Sequence, residues 1–165
     1  MLRRLRPADL HRFHAYRSDS GLAIYQGWSA MTLFEAKEFI DAMADVAALR
    51  GGKWIQIATA ESPSGALVGD VGLLLEADGL AAELGFTLCR DVYGRGTAAR
   101  APRAAVNLVY AVSSAQTVRV VTDVRNLSSI RALERASFSR SHARNTAFRS
   151  EPCTDLVYVH RRTGT

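Results

Sequence analysis

The chain has 165 residues, 48% of them hydrophobic and 22% charged, which suits one domain over residues 1–165 with a full core. No apolar run approaches the ~20 residues that a membrane span needs, and the N-terminal MLRRLRPADLHRF lacks the apolar stretch of a signal peptide. The net charge of +5 conceals a division: residues 1–89 carry 8 Lys/Arg against 11 Asp/Glu, while residues 90–165 carry 13 Arg against 5 Asp/Glu. That division reads as two differently solvated surfaces, or as a basic half for a polyanion and an acidic half for something cationic.

Leu2 to Arg6 alternates apolar and basic residues, the pattern of an edge strand. Pro7 and Asp9 open a short helix that carries Leu10 and Phe13 on one face. Ser18 to Ala30 reads as a loop that must place Tyr25, Gln26 and Trp28. Thr32 and Glu35 form a capping box, and Leu33, Ala36, Phe39, Ile40, Met43 and Ala47 recur at helical spacing. That helix is expected to reach about Leu49, where Gly51-Gly52 ends it.

Three strands follow as a meander: Trp54 to Ala60, Leu67 to Leu75 and Leu80 to Cys89. Ser62 to Gly65 and Ala77 to Gly79 supply the turns between them. A helix is expected from about Thr97 to Val112, although Pro102 requires it to start later or to bend. The β-branched run Thr117 to Val124 reads as a buried strand. Asn126, Ser128 and Ser129 can cap a short helix ending near Ala136. Ser139 to Phe148 and Asp155 to Arg161 look like a closing hairpin.

The stretch LGFTLCRDVYGRGTAARA, Leu84 to Ala101, carries the strongest chemical signal. Gly94 and Gly96 stand between a strand and a helix, where backbone N–H groups converge with no Cβ in the way. The helix start adds free N–H groups and the positive end of its dipole, a seat for phosphate or pyrophosphate. Arg90, Arg95, Arg100 and Arg103 surround the turn with positive charge, or else form solvated surface.

With YGRGTA at the turn and NLSSIRALERASF after the next strand, the chain resembles the GNAT superfamily of N-acetyltransferases. The closer resemblance is to the branch that includes the enzymes acetylating the N-termini of ribosomal proteins. Gly96 and Ala98 match the family's turn motif, while Tyr93 replaces its first Gln or Arg. Glu134 and Phe138 match the second block, and Ser137 stands where the family usually has Gly. The resemblance implies an α/β (α+β) fold: a mixed, mostly antiparallel sheet of about seven strands flanked by about four helices. It also implies acetyl-coenzyme A as donor and direct attack by a primary amine within a ternary complex.

Phe86, Thr87 and Leu88 then fall where the family pairs with the pantetheine arm. The turn from Tyr93 through Gly94, Arg95, Gly96, Thr97 and Ala98 to Ala99 falls where it seats the pyrophosphate. Asn126 matches an asparagine near the thiol. Arg95 and Arg100 are candidates for the phosphates, including the 3′-phosphate.

Glu83 lies on the strand beside the cofactor, on the face opposite Leu84, Phe86 and Leu88. It is a candidate general base for the amine, directly or through water; otherwise it attracts a cationic substrate or pairs with an arginine. Tyr25, Gln26 and Trp28 either wall the acceptor pocket or anchor their loop. The tyrosine that many relatives use to protonate the thiolate is Leu133 here, leaving Ser128, Ser129, Ser137 or water. Cys89 and Cys153 lack CxxC spacing and a His at metal spacing. They read as free thiols in a cytoplasmic, reducing compartment, with Cys89 structural, and no metal is expected.

A peptide N-terminus and a small cationic amine both remain open as acceptor, and so does a homodimer. Two rival readings are a cofactor-binding sensor without transferase activity and a basic nucleic-acid binder. The scatter of the arginines, with no interleaved stacking aromatics, speaks against the latter.

Overall fold

The computed structural model describes residues 1–44, 49–94 and 96–163. The strands are β1 (Leu2–Arg3), β2 (Trp54–Ala60), β3 (Leu67–Leu75), β4 (Ala81–Leu88), β5 (Thr117–Asp123), β6 (Ser139–Phe148) and β7 (Glu151–Arg161). They form one seven-stranded sheet in the order β1-β2-β3-β4-β5-β7-β6. Every neighbouring pair is antiparallel except β4 with β5. The helices are α1 (Leu10–Arg17), α2 (Ser20–Ala23), α3 (Leu33–Ala44), α4 (Thr97–Val112) and α5 (Leu127–Arg135). This is the expected α/β architecture, with one helix more than the expected four.

The additional helix, α2, lies in the segment expected to be a loop. Its cause is local: the Asp19 carboxylate accepts from the N–H groups of Gly21 and Leu22 and caps a single turn. The capping box at Thr32 and Glu35 forms as its spacing predicts. The helix it opens is described to Ala44; the expected continuation over 45–48, including Ala47, lies outside the described residues. The helix α4 runs continuously through the buried Pro102 rather than starting after it. Among the described residues, no helix is long and apolar enough to cross a membrane.

Strand periodicity divides the sheet into two faces. On one face Tyr16 and Arg17 of α1 reach Asp70 of β3. On the other, α4 shares a groove with Ile55, Ile57 and Leu73, which alternate away from Asp70. Phe13, Ile40, Val71, Leu84, Val109, Val118 and Leu133 are buried in one continuous core between these layers.

The pairing of β4 with β5 positions the site. Their register runs only from Ala81, Ala82 and Glu83 to Thr117, Val118 and Arg119. Past that rung β4 continues against β3 as far as Leu88, and β5 continues against β7 as far as Asp123. The two strands therefore part like a V whose apex is the Glu83–Arg119 rung. Leu84 to Leu88 present their edge to the gap.

Candidate active site

The open edge of β4 leads into the glycine turn. Gly94 and Gly96 have φ of 79° and 74°, the left-handed region that strains any L side chain. A Cβ at either position would meet no atom of the described residues within 4 Å. Gly96 is the N-cap of α4 and provides no side-chain cap. The first amides of this 16-residue helix are thus free of a side-chain acceptor and offered to the turn.

These features border a cavity of about 430 Å³. One wall is the turn, with Arg90, Tyr93, Gly94, Gly96, Ala98 and Ala99. The end of β4 contributes Phe86, Thr87 and Leu88, and the chain around α2 contributes Gly21, Leu22, Tyr25 and Gln26. The remaining wall is the start and outer face of α5, with Asn126, Ser128, Ser129, Arg131, Ala132 and Arg135. The fold therefore gathers Tyr25, Gln26, Phe86, Thr87, Leu88, Tyr93, Gly94, Gly96, Ala98, Ala99 and Asn126 around one space. A nucleotide-bearing thioester fits its chemistry, with free amides at one end and an unpaired strand edge at the other.

The other candidates stand elsewhere. Thr97 is the first residue of α4, half-buried and outside the cavity lining. Arg95 lies outside the described residues, and Arg100 is on the exposed surface of α4. Trp28 does not line the cavity but touches its wall, donating from Nε1 to the Thr87 hydroxyl at 3.4 Å. Arg149, in the β6–β7 turn, donates to the Trp28 carbonyl at 2.8 Å.

Glu83 is not in the cavity lining either. Its Oε2 accepts from Arg119 Nε at 3.1 Å and Nη2 at 3.0 Å. The same guanidinium holds Glu76 at 2.7 Å. Glu83 has thus met the arginine partner of its second reading while standing at the apex of the V, beside the gap.

Asn126 lines the cavity while serving as N-cap of α5, its Oδ1 accepting from Ser129 N at 3.2 Å. Ser128 and Ser129 face the same cavity, whereas Leu133, at the family's tyrosine position, is 0% exposed. Ser137 takes φ 68°, so the bend usually given to glycine is made here by serine. Cys89 is buried, and burial pushes its thiol up to about 11, which keeps it protonated and unreactive at neutral pH. Asp19 and Arg90 strap the start of α2 to the end of β4, with Nε–Oδ2 at 2.7 Å. That guanidinium holds the Asp19 carboxyl down at about 2.

Sequence reasoning missed two groups. Asp70 is fully buried inside β3, where its carboxylate accepts from Tyr16, Arg17 and Gln56. Arg17 in turn lies 4.6 Å from the Trp28 ring centroid. The signal was an aspartate in the otherwise apolar run LVGDVGLLL. Arg131 and Arg135, one turn apart on α5, are the other group, and their i, i+4 spacing was the signal.

Known folds match this architecture closely. A GNAT-family acetyltransferase from Bacillus anthracis superposes with a TM-score of 0.84 over 97% of this chain and 93% of its own, at 17% identity. The spermidine N-acetyltransferase of Vibrio cholerae, in complex with coenzyme A and spermine, gives 0.81 over 98% and 94%, at 15% identity. A provisionally assigned ribosomal-protein-serine acetyltransferase from Vibrio cholerae gives 0.75 over 98% and 92%, at 18% identity. At such identities the likeness is one of fold. No curated protein matches the chain in sequence. The model of the acetyltransferase (GNAT) domain matches residues 1–139. The chain belongs to the GNAT acetyltransferase domain family.

Proposed function

We propose that residues 1–165 act as one domain that transfers an acetyl group from acetyl-coenzyme A to a primary amine, both substrates being bound together. The observation that carries this reading is the open edge of β4 running into an uncapped glycine turn along one cavity. The thioester supplies an activated acetyl group. The edge at Phe86, Thr87 and Leu88 pairs with the amides of the pantetheine arm, and the amides from Gly94 to Ala99 seat the pyrophosphate. This places the thioester end toward the apex, near Glu83.

Glu83 takes the proton of the acceptor amine, directly or through water, and Arg119 holds the carboxylate at the apex meanwhile. Asn126 keeps the first turn of α5 against the cavity, where Ser128 and Ser129 are the hydroxyls at hand for the departing sulfur. Much of the catalysis is positioning of the two substrates. The acceptor is a small cationic amine: two carboxylates, Glu76 and Glu83, share a single guanidinium at the apex. Spermine in the Vibrio cholerae neighbour is consistent with that class. Tyr25, Gln26 and Trp28 form the rim through which it enters. The two free thiols suit a cytoplasmic location.

A sensor that binds the cofactor without transferring it is the second reading, favoured by the buried leucine at the tyrosine position. The two readings separate in one experiment. Acetyl-coenzyme A raises the melting temperature under both. Release of free thiol on adding spermidine or a short peptide with a free N-terminus occurs under the first alone.

A further inference from the structure

Gly69, Gly72 and Gly85 interrupt β3 and β4, and their circumstances differ. A Cβ at Gly69 would collide with the Thr87 carbonyl, and one at Gly72 would meet the Gln56 amide at 2.9 Å and the Trp54 ring at 3.3 Å. Close packing requires glycine at both. At Gly85 it does not: φ lies outside the left-handed region, and a Cβ would meet no atom of the described residues within 4 Å. Glycine inside a strand weakens it, so the fold by itself would be served better by alanine there. Register shows where this bare backbone lies. Gly85 pairs with Gly72, in the row between Leu74–Glu83 and Asp70–Thr87, on the face that carries Asp70. Gln56, opposite Gly72, reaches away to Asp70 at 2.7 Å, and Trp54, 47% exposed, lies against Gly72. Along β4 the row is flanked by Glu83 and by Thr87 with its Trp28 contact, each about 7 Å away by the rise of a strand. On the remaining side Gly85 is past the last rung between β4 and β5, so the space above it opens onto the gap.

We propose that the bare backbone of Gly85 seats the acceptor, the carbon that bears the reacting amine lying between Glu83 and the Trp28–Thr87 contact. This rests on the transferase reading above and adds to it a residue that decides which acceptors fit. The cofactor uses the edge of β4 and the acceptor its face. Those directions are perpendicular in a strand, so a side chain at Gly85 obstructs the acceptor and leaves the edge clear. An ammonium group above Gly85 has the Glu83 carboxylate on one side to attract it, and the Trp54 ring is beside it to pack on its carbon chain.

The test compares the parent with Gly85→Ala and Gly85→Val in three measurements: melting temperature without ligand, calorimetric affinity for acetyl-coenzyme A, and thiol release with spermidine or a short peptide as acceptor. Melting temperatures should hold or rise, because the strand gains a side chain in open space. Affinity for acetyl-coenzyme A should match that of the parent. With the acceptor that the parent uses, kcat/KM should fall about tenfold in Gly85→Ala and on the order of 10²-fold in Gly85→Val, since a displacement of an ångström is that costly to the amine. Parental kcat/KM in Gly85→Val overturns the inference. So does an equal loss of cofactor affinity, which would give the space to the thioester, and so does a lowered melting temperature in both variants, which would make Gly85 structural. A parent that binds acetyl-coenzyme A but releases no thiol with either acceptor contradicts the transferase reading itself, and the acceptor seat falls with it.

Discussion

Two carboxylate–guanidinium pairs lie on the same face of adjacent strands, and they differ in kind. In the Arg17–Asp70 pair the side chains are 2% and 0% exposed, and Asp70 accepts from Tyr16, Arg17 and Gln56 at once. Burial, then the Asp70 charge, push the Tyr16 phenol well above its ordinary range, so it remains a donor to that carboxylate. In the Arg119–Glu83 pair the side chains are 43% and 28% exposed, and the guanidinium is shared with Glu76. The first pair is closed on every side and holds α1, β2 and β3 together. The second stands at the apex of the open V with solvent and an alternative partner in reach. Burial makes one pair a fixed strut and leaves the other partly exposed, with its guanidinium divided between two carboxylates.

The largest expected effect follows from the buried pair. Asp70→Ala strands the Arg17 charge in the core and should cost about 3–5 kcal/mol in denaturant unfolding. Glu83→Ala should cost under about 1 kcal/mol by the same measurement. Equal costs would erase the distinction between the two pairs.

Glu83→Gln comes next and sharpens the comparison from the functional side. Turnover should fall by on the order of 10²-fold with cofactor binding retained. The loss should shrink as the pH nears the pKa of the amine itself, where free amine needs no base. A change confined to KM that fades with salt would make Glu83 an anchor for the acceptor instead.

Much of this contrast is invisible in sequence. Strand periodicity and turn residues locate the meander of β2, β3 and β4, and Gly94 with Gly96 marks the left-handed turn that leads into α4. The split between β4 and β5 cannot be read that way, because register between strands 36 residues apart is a long-range property. Glu83 and Asp70 are both carboxylates within strands, and only packing decides which one is sealed. Arg17 draws its neighbours Phe13, Trp28 and Phe39 from three separate segments. The bend at Ser137 shows a limit of another sort, since a left-handed conformation was adopted without glycine.

The smallest effect concerns the exposed strap between Asp19 and Arg90. The Asp19 carboxyl is held at about 2, below its unfolded value near 4. Its contribution is therefore complete above about pH 4 and disappears as the pH falls through about 2. Asp19→Asn should remove that part of the acid sensitivity and loosen α2, seen as faster hydrogen exchange at Gly21 and Leu22, whose amides Asp19 caps. Unaltered exchange at both amides would show that the strap does not hold α2.

The central claim is that the cofactor occupies the gap between β4 and β5 and rests on the glycine turn. Hydrogen exchange read by mass spectrometry, with and without acetyl-coenzyme A, tests it most directly. Slowed exchange should appear in peptides covering Leu84 to Leu88 and Gly94 to Ala99, accompanied by a higher melting temperature. Slowing confined to the groove between β2 and α4, or none in either segment at saturating ligand, would contradict the account.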